Sequence, residues 1–154
     1  MAQPVFSLQA VLDVRHSRVE ALEIALGKLL AEERAGREKQ ALLREQQTGL
    51  LQKMSSAMSD EMDIIQLDLL RRNLLANEIE SAHVQTVLND IARLITIKRN
   101  ELLKAHTDEE VLVTLKDQRE EVFRNEQKAK EASQQSDVYI AQSFRQRSAA
   151  MHSR

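Results

Sequence analysis

The sequence predicts an all-α chain folded as a long antiparallel two-helix coiled-coil hairpin, with a kink or a short extra helix near its turn. Three observations carry that expectation. Good helix formers fill most positions, while Gly 3 and Pro 1 in 154 residues leave little material for tight turns. Apolar residues recur at alternating four- and three-residue steps, the spacing that keeps one face of a helix turned toward a partner. The best interruption of that pattern is one short stretch, SSAMSD, at residues 55–60. With 42% hydrophobic residues so regularly placed, a disordered chain is not expected.

The first helix is expected over about residues 5–54, with Pro4 or Ser7 at its start. From Leu8 its seam runs through Leu12, Arg15, Val19, Leu22, Leu26 and Leu29, then through Glu33, Gly36, Gln40, Leu43, Gln47, Leu50 and Met54. The first half of this seam is strongly apolar and its middle is polar. Gly36 has two readings there: a bend or close approach of a second helix, or a stretch that packs weakly. Weak packing is the preferred one. At 1.5 Å per residue such a helix would be roughly 75 Å long, and it cannot bury its apolar stripe by itself.

A turn is expected at about residues 55–60, with Ser59 or Asp60 capping the helix that follows. The later arm, about residues 61–147, carries Ile64, Leu67, Leu70, Leu74, Leu75 and Ile79, then Val84, Leu88, Ile91, Ile95 and Leu102. The β-branched run from Val84 to Ile97 suggests a strand by composition, but the spacing of Leu88, Ile91 and Ile95 is helical. Thr107 and Glu110 have the form of a capping box, which here implies a kink at most. The final run holds Val111, Leu115, Val122, Ala129, Ala132, Ile140 and Phe144, and a frayed basic tail with Arg145, Arg147 and Arg154 ends the single hairpin of residues 1–154.

Several function classes are excluded on the same grounds. Without cysteine there is neither a disulfide nor a thiolate metal site, and His16, His83, His106 and His152 are too scattered to form a metal motif. No glycine-rich phosphate loop, nucleophile elbow or His-Glu-x-x-His arrangement is present, and a two-helix hairpin offers no concave site for general acid–base chemistry. The expectation is therefore a non-enzymatic protein with no metal and no cofactor. A net charge of -2 argues against binding nucleic acid. No apolar stretch is long enough for a transmembrane segment and no leader pattern opens the chain, so a cytoplasmic protein is expected, peripheral to a membrane only through its partners.

Arg15 stands among apolar seam neighbours, where an unpaired charge would be costly. It either snorkels to solvent or, with Phe6 and Leu12, forms part of a partner-binding terminus.

The pattern of Phe6, Leu8, Leu12, Arg15 and Glu20 resembles the N-terminus of the FliJ family, small coiled-coil proteins of flagellar and related type III export systems. Glu126-Gln127-Lys128 followed by Asp137 is similar to the charged run near that family's end, and the likeness covers about residues 5–147. The resemblance implies a two-helix hairpin shaped like the central stalk of a rotary ATPase. It implies that both termini enter the pore of a hexameric export ATPase and promote ring assembly, with further contacts to the export gate and to substrate chaperones. On that basis Phe6, Leu12 and Arg15 from one terminus and Phe144, Arg145 and Arg147 from the other would meet the ATPase. Glu120, Glu121 and Glu126 would face other partners. The chain departs from the family pattern at Asp137-Val138-Tyr139, where an acidic residue usually follows the aspartate, and in having no Trp and a single Tyr for a gate contact. The alternatives are an adaptor of another ATPase-driven machine, such as a pilus motor, and a scaffold whose seam closes by homodimerisation.

Overall fold

The computed structural model describes residues 4–59 and 63–153. Among them it contains two long α-helices, α1 (Gln9–Ser59) and α2 (Ile64–His152), which pack antiparallel, and no strand. The β-branched run from Val84 to Ile97 is helical throughout, because its apolar spacing buries one helical face and packing outweighs intrinsic β preference.

Helix α1 begins later and ends later than the sequence suggests. Residues 7 and 8 form a turn closed by the Gln9 amide, which donates to the Phe6 carbonyl at 3.0 Å. At the other end the helix continues through Ser55–Ser59, where a turn was expected. Two forces extend it. Met54 and Ala57 are half-buried and prolong the seam, and the Ser59 hydroxyl lies 3.2 and 3.0 Å from the carbonyls of Ser55 and Ser56, which an ending helix leaves unpaired. Asp60 lies outside the described residues, and the cap of α2 is Asp63. Its carboxylate accepts from the Ile65 amide at 3.1 Å and its carbonyl from the Leu67 amide at 3.1 Å. Helix α2 runs unbroken through Thr107, so the Thr107–Glu110 pair starts no new helix. It also continues past 147 to His152, a stretch expected to fray.

The chain divides into two compact units, one of Met1–His16 with Thr107–Arg154 and one of Ser17–His106. In the second unit the core is a double row of seam residues. Val19, Leu22 and Ala105 form one buried cluster with Leu102 packed against it, and Leu43, Val84 and Leu88 form another. Ile91 and Ile95 are buried as well. No described side chain is more than 98% buried, since two helices cover a seam from one side only. Full burial of a leucine or isoleucine contributes about 1.5–3 kcal/mol, so the buried seam residues approach that range and the half-buried ones fall below it.

The polar middle of the α1 seam is packed, contrary to the weak packing expected there. A Cβ on Gly36 would lie 2.7 Å from Leu88 Cδ2 and 3.3 Å from its Cγ. The glycine is a notch that receives the Leu88 side chain, and this close approach is what a larger residue would prevent. Gln40 donates to Gln85 at 2.6 Å and Lys39 pairs with Glu80 across the same stretch.

In the first unit Leu12 and Leu112 are buried and Phe6 is half-buried. Half-buried positions continue on α2 through Phe123 and Gln127. From residue 128 to 153 every residue is exposed except Ser143, which is half-buried. The cause is a difference in length: α2 has 89 residues and α1 has 51.

Candidate functional site

The residues expected at the two termini fall into two different environments. Leu12 is 8% exposed and belongs to the packed seam. Arg15 is partly buried, and its guanidinium Nη1 donates to the Asp108 carbonyl at 2.6 Å. The charge that looked costly in the seam is thus accommodated by a main-chain acceptor on the facing helix, a use the sequence reading did not include. Beside it, His16 Nδ1 stands 2.6 Å from Glu109 Oε1. Phe6 sits just before α1, half-buried.

Phe144, Arg145 and Arg147 are all exposed, on the part of α2 that has no packing partner among the described residues. Phe144 keeps 74% of its surface accessible. Asp108, which faces Arg15, and Phe144 are separated along α2 by about 50 Å at 1.5 Å per residue. The two sets of residues are therefore not gathered at one tip. Phe6, Leu12 and Arg15 mark where the paired part of the unit ends, and Phe144, Arg145 and Arg147 ride on a single helix well beyond it.

Around them the exposed stretch carries Val138, Tyr139, Ile140 and Met151, each more than half exposed. Ile140, Phe144, Arg147 and Met151 follow one another at four, three and four residues, which places them on one helical face. From the sequence, Val138 and Tyr139 stand out only as a departure from the family pattern, and Met151 does not stand out at all. The signal that could have found them is the mismatch between a first helix of about fifty residues and a later arm of nearly ninety. No acidic residue follows Asp137, so this end of the helix is basic and apolar.

Glu120 is half-buried, and Glu121 and Glu126 are exposed on the same helix. In the other unit a solvent-open groove of about 520 Å³ is lined by residues including Leu43, Leu50, Lys53, Asn77 and Glu80. Its carboxylate, Glu80, is held below the ordinary value of 4.5, first by a hydrogen bond from Lys39 and then by that ammonium's charge. Among the described residues no group of three or more His, Asp or Glu side chains is placed to hold a metal ion, and no helix is long and apolar enough to cross a membrane.

Fold and surface together define a helical hairpin with an exposed single-helix end. The family model described as "Flagellar FliJ protein" matches residues 4–149, and the chain belongs to the FliJ family. No curated protein and no solved structure matches it significantly.

Proposed function

We propose that this protein is a non-enzymatic, stalk-like component of a flagellar-type or type III protein export apparatus. In this reading it enters the central pore of a hexameric export ATPase and promotes assembly of the ring or its coupling to export. The observation that carries the proposal is the solvent-exposed C-terminal stretch of α2. It presents Phe144, Tyr139 and Ile140 together with Arg145 and Arg147, and no acidic residue follows Asp137. Apolar side chains held in water on a preformed helix gain free energy when a partner covers them. A helix already formed also loses little conformational entropy on insertion into a channel. Family membership supplies the class of partner.

The paired base of this unit, with Phe6, Leu12 and Arg15, would bear on the mouth of the ring. Glu120, Glu121 and Glu126 would be available to the export gate or to substrate chaperones. A cytoplasmic location follows from these partners, with contact to the membrane through them. No cofactor enters this role.

The test is the mass of complexes formed by the purified protein with candidate hexameric export or pilus ATPases, measured by light scattering beside the protein alone. One copy per hexamer, with a monomer when alone, is the expected result. A shift with a pilus ATPase only would assign the protein to another motor. A tight homodimer that ignores every ATPase would replace the stalk by a scaffolding coiled coil.

A further inference from the structure

Two stretches of the sequence carry the helix-start signature Ser/Thr-x-x-Glu: Ser17-Arg18-Val19-Glu20 and Thr107-Asp108-Glu109-Glu110. Neither starts a helix, since α1 and α2 run through them unbroken. With glutamate at the fourth position the signature occurs nowhere else in the sequence. Yet the two compact units divide at these same places, between His16 and Ser17 and between His106 and Thr107. A local sequence signal and a division set by packing thus coincide twice.

The flanking charges agree with the signal. Lys104 and His106 precede Thr107, and Asp108, Glu109 and Glu110 follow it. Cations favour the end of a helix and anions its start, so the α2 sequence reads as a stop and a restart. In α1, Arg15 and His16 precede Ser17, and Glu20 completes the box.

Opening one turn costs less at such a box than elsewhere in either helix. A break leaves the amides of the new first turn without their carbonyl partners. The Ser or Thr hydroxyl then accepts from one of them, and the Glu carboxylate accepts from the capping residue's own amide. Ser17, Glu20, Thr107 and Glu110 are all exposed, so water reaches the groups that remain. The cross-helix contacts need not part. Arg15 and His16 hold Asp108 and Glu109 within one unit, and Glu23 stands 3.6 Å from His106 within the other.

We propose that the two boxes form a joint. One turn of α1 at Ser17 and one turn of α2 at Thr107 open and are re-capped, while the contacts inside each unit stay closed. This role is independent of which partner the protein serves.

Native-state amide exchange of the full-length protein, read by NMR, tests the joint. The Asp108 and Glu109 amides are expected to have protection factors about tenfold lower than Glu101 and Leu102, one heptad before, and Leu115 and Lys116, one heptad after. Arg18 and Val19 should stand in the same relation to Ala25 and Leu26. Thr107→Ala removes the cap of the open turn and should raise protection at Asp108 and Glu109 about tenfold, with Ser17→Ala doing the same at Arg18 and Val19. Thr96→Ala makes the same change at an exposed position followed by Arg99 instead of a glutamate, and should raise local protection by no more than about threefold. Glu110→Gln can still close the box and should keep the minimum, whereas Glu110→Ala should make it shallower. Protection at Asp108 and Glu109 equal to that of both flanks would overturn the proposal. So would a gain in Thr107→Ala no larger than that in Thr96→Ala.

Discussion

His16 and Glu109 stand 2.6 Å apart across the helix pair, and one position before each of them Arg15 donates to the main-chain carbonyl of Asp108 at 2.6 Å. Side by side, the two contacts fasten the start of α1 to α2 where the paired part of the Met1–His16 and Thr107–Arg154 unit begins. The packing continues through Leu12 and Leu112, and from residue 128 onward every described residue of α2 except Ser143 is exposed. Of the N-terminal residues expected to meet a partner, Leu12 is buried, Arg15 is bonded across the helices and Phe6 is half-buried, whereas Phe144, Arg145 and Arg147 are exposed.

Arg15→Ala should lower stability by about 1–2 kcal/mol, the range of a charge-assisted hydrogen bond at a partly solvated site. Arg15→Lys should recover only part of this, because an ammonium lacks the reach and the fork of a guanidinium. Urea unfolding followed by circular dichroism measures both. An unchanged midpoint in Arg15→Ala would mean that the contact adds nothing to folding.

Leu22, 3% exposed in the seam, and Ile24, 62% exposed on the flank of the same helix, make a paired test of where the core lies. Leu22→Ala is expected to cost about 2–3 kcal/mol, toward the low end for a buried leucine because two helices can partly close the gap. Ile24→Ala should stay within about 0.5 kcal/mol of the parent. Equal losses in the two variants would place the seam elsewhere.

The Lys39–Glu80 pair makes a pH prediction with a definite sign. The folded-state pKa of Glu80 is depressed, so its contribution to stability is fully present above the ordinary value of 4.5 and is lost as pH falls through the folded pKa. Glu80→Gln should therefore be less stable than the parent near neutrality, and the gap should close on acidification. The pair is solvent-accessible, so the effect is small and should shrink further in high salt. Thermal melts of both proteins from neutral pH to pH 3 check this. A gap that widens on acidification would contradict it.

Phe144→Ala combined with Arg145→Ala should leave Tm unchanged, because both side chains are exposed and the described residues offer neither a packing partner. If the proposed insertion is right, the same variant weakens binding to the export ATPase by tenfold or more, the scale of an aromatic and arginine hot spot. Leu12→Ala should instead lower Tm together with any binding. A titration in which the Phe144 and Arg145 variant binds like the parent would move the contact away from this end.

Much of the fold can be read from the spacing of apolar residues. The seam from Leu12 to Met54 occupies buried or half-buried positions at every step, including the polar ones at Glu33, Gln40 and Gln47. Helical periodicity survives a run of polar residues because geometry, not hydrophobicity, sets which face turns inward. Reading fails where one residue type serves two ends. Serines at 55–59 suggest a turn, yet a serine hydroxyl can also bond back to the carbonyls of a helix end, and the half-buried Met54 and Ala57 extend the seam. On α2, the final apolar run named from the sequence includes Val111, which is exposed, and omits its neighbour Leu112, which is buried. A one-residue error of that kind is easy where apolar residues adjoin.

By itself the sequence determined that the chain is helical, which residues of α1 face a partner, and that no metal motif or phosphate loop is built in. These follow from composition and from a period that each residue reports locally. The tertiary structure decided what depends on the facing helix. Gly36 is a notch only because Leu88 arrives there, Arg15 is satisfied only because the Asp108 carbonyl is within reach, and Phe144 is free because α1 is too short to cover it. The meaning of a residue in a long helix is set by what packs opposite it, and a one-dimensional pattern does not contain that pairing.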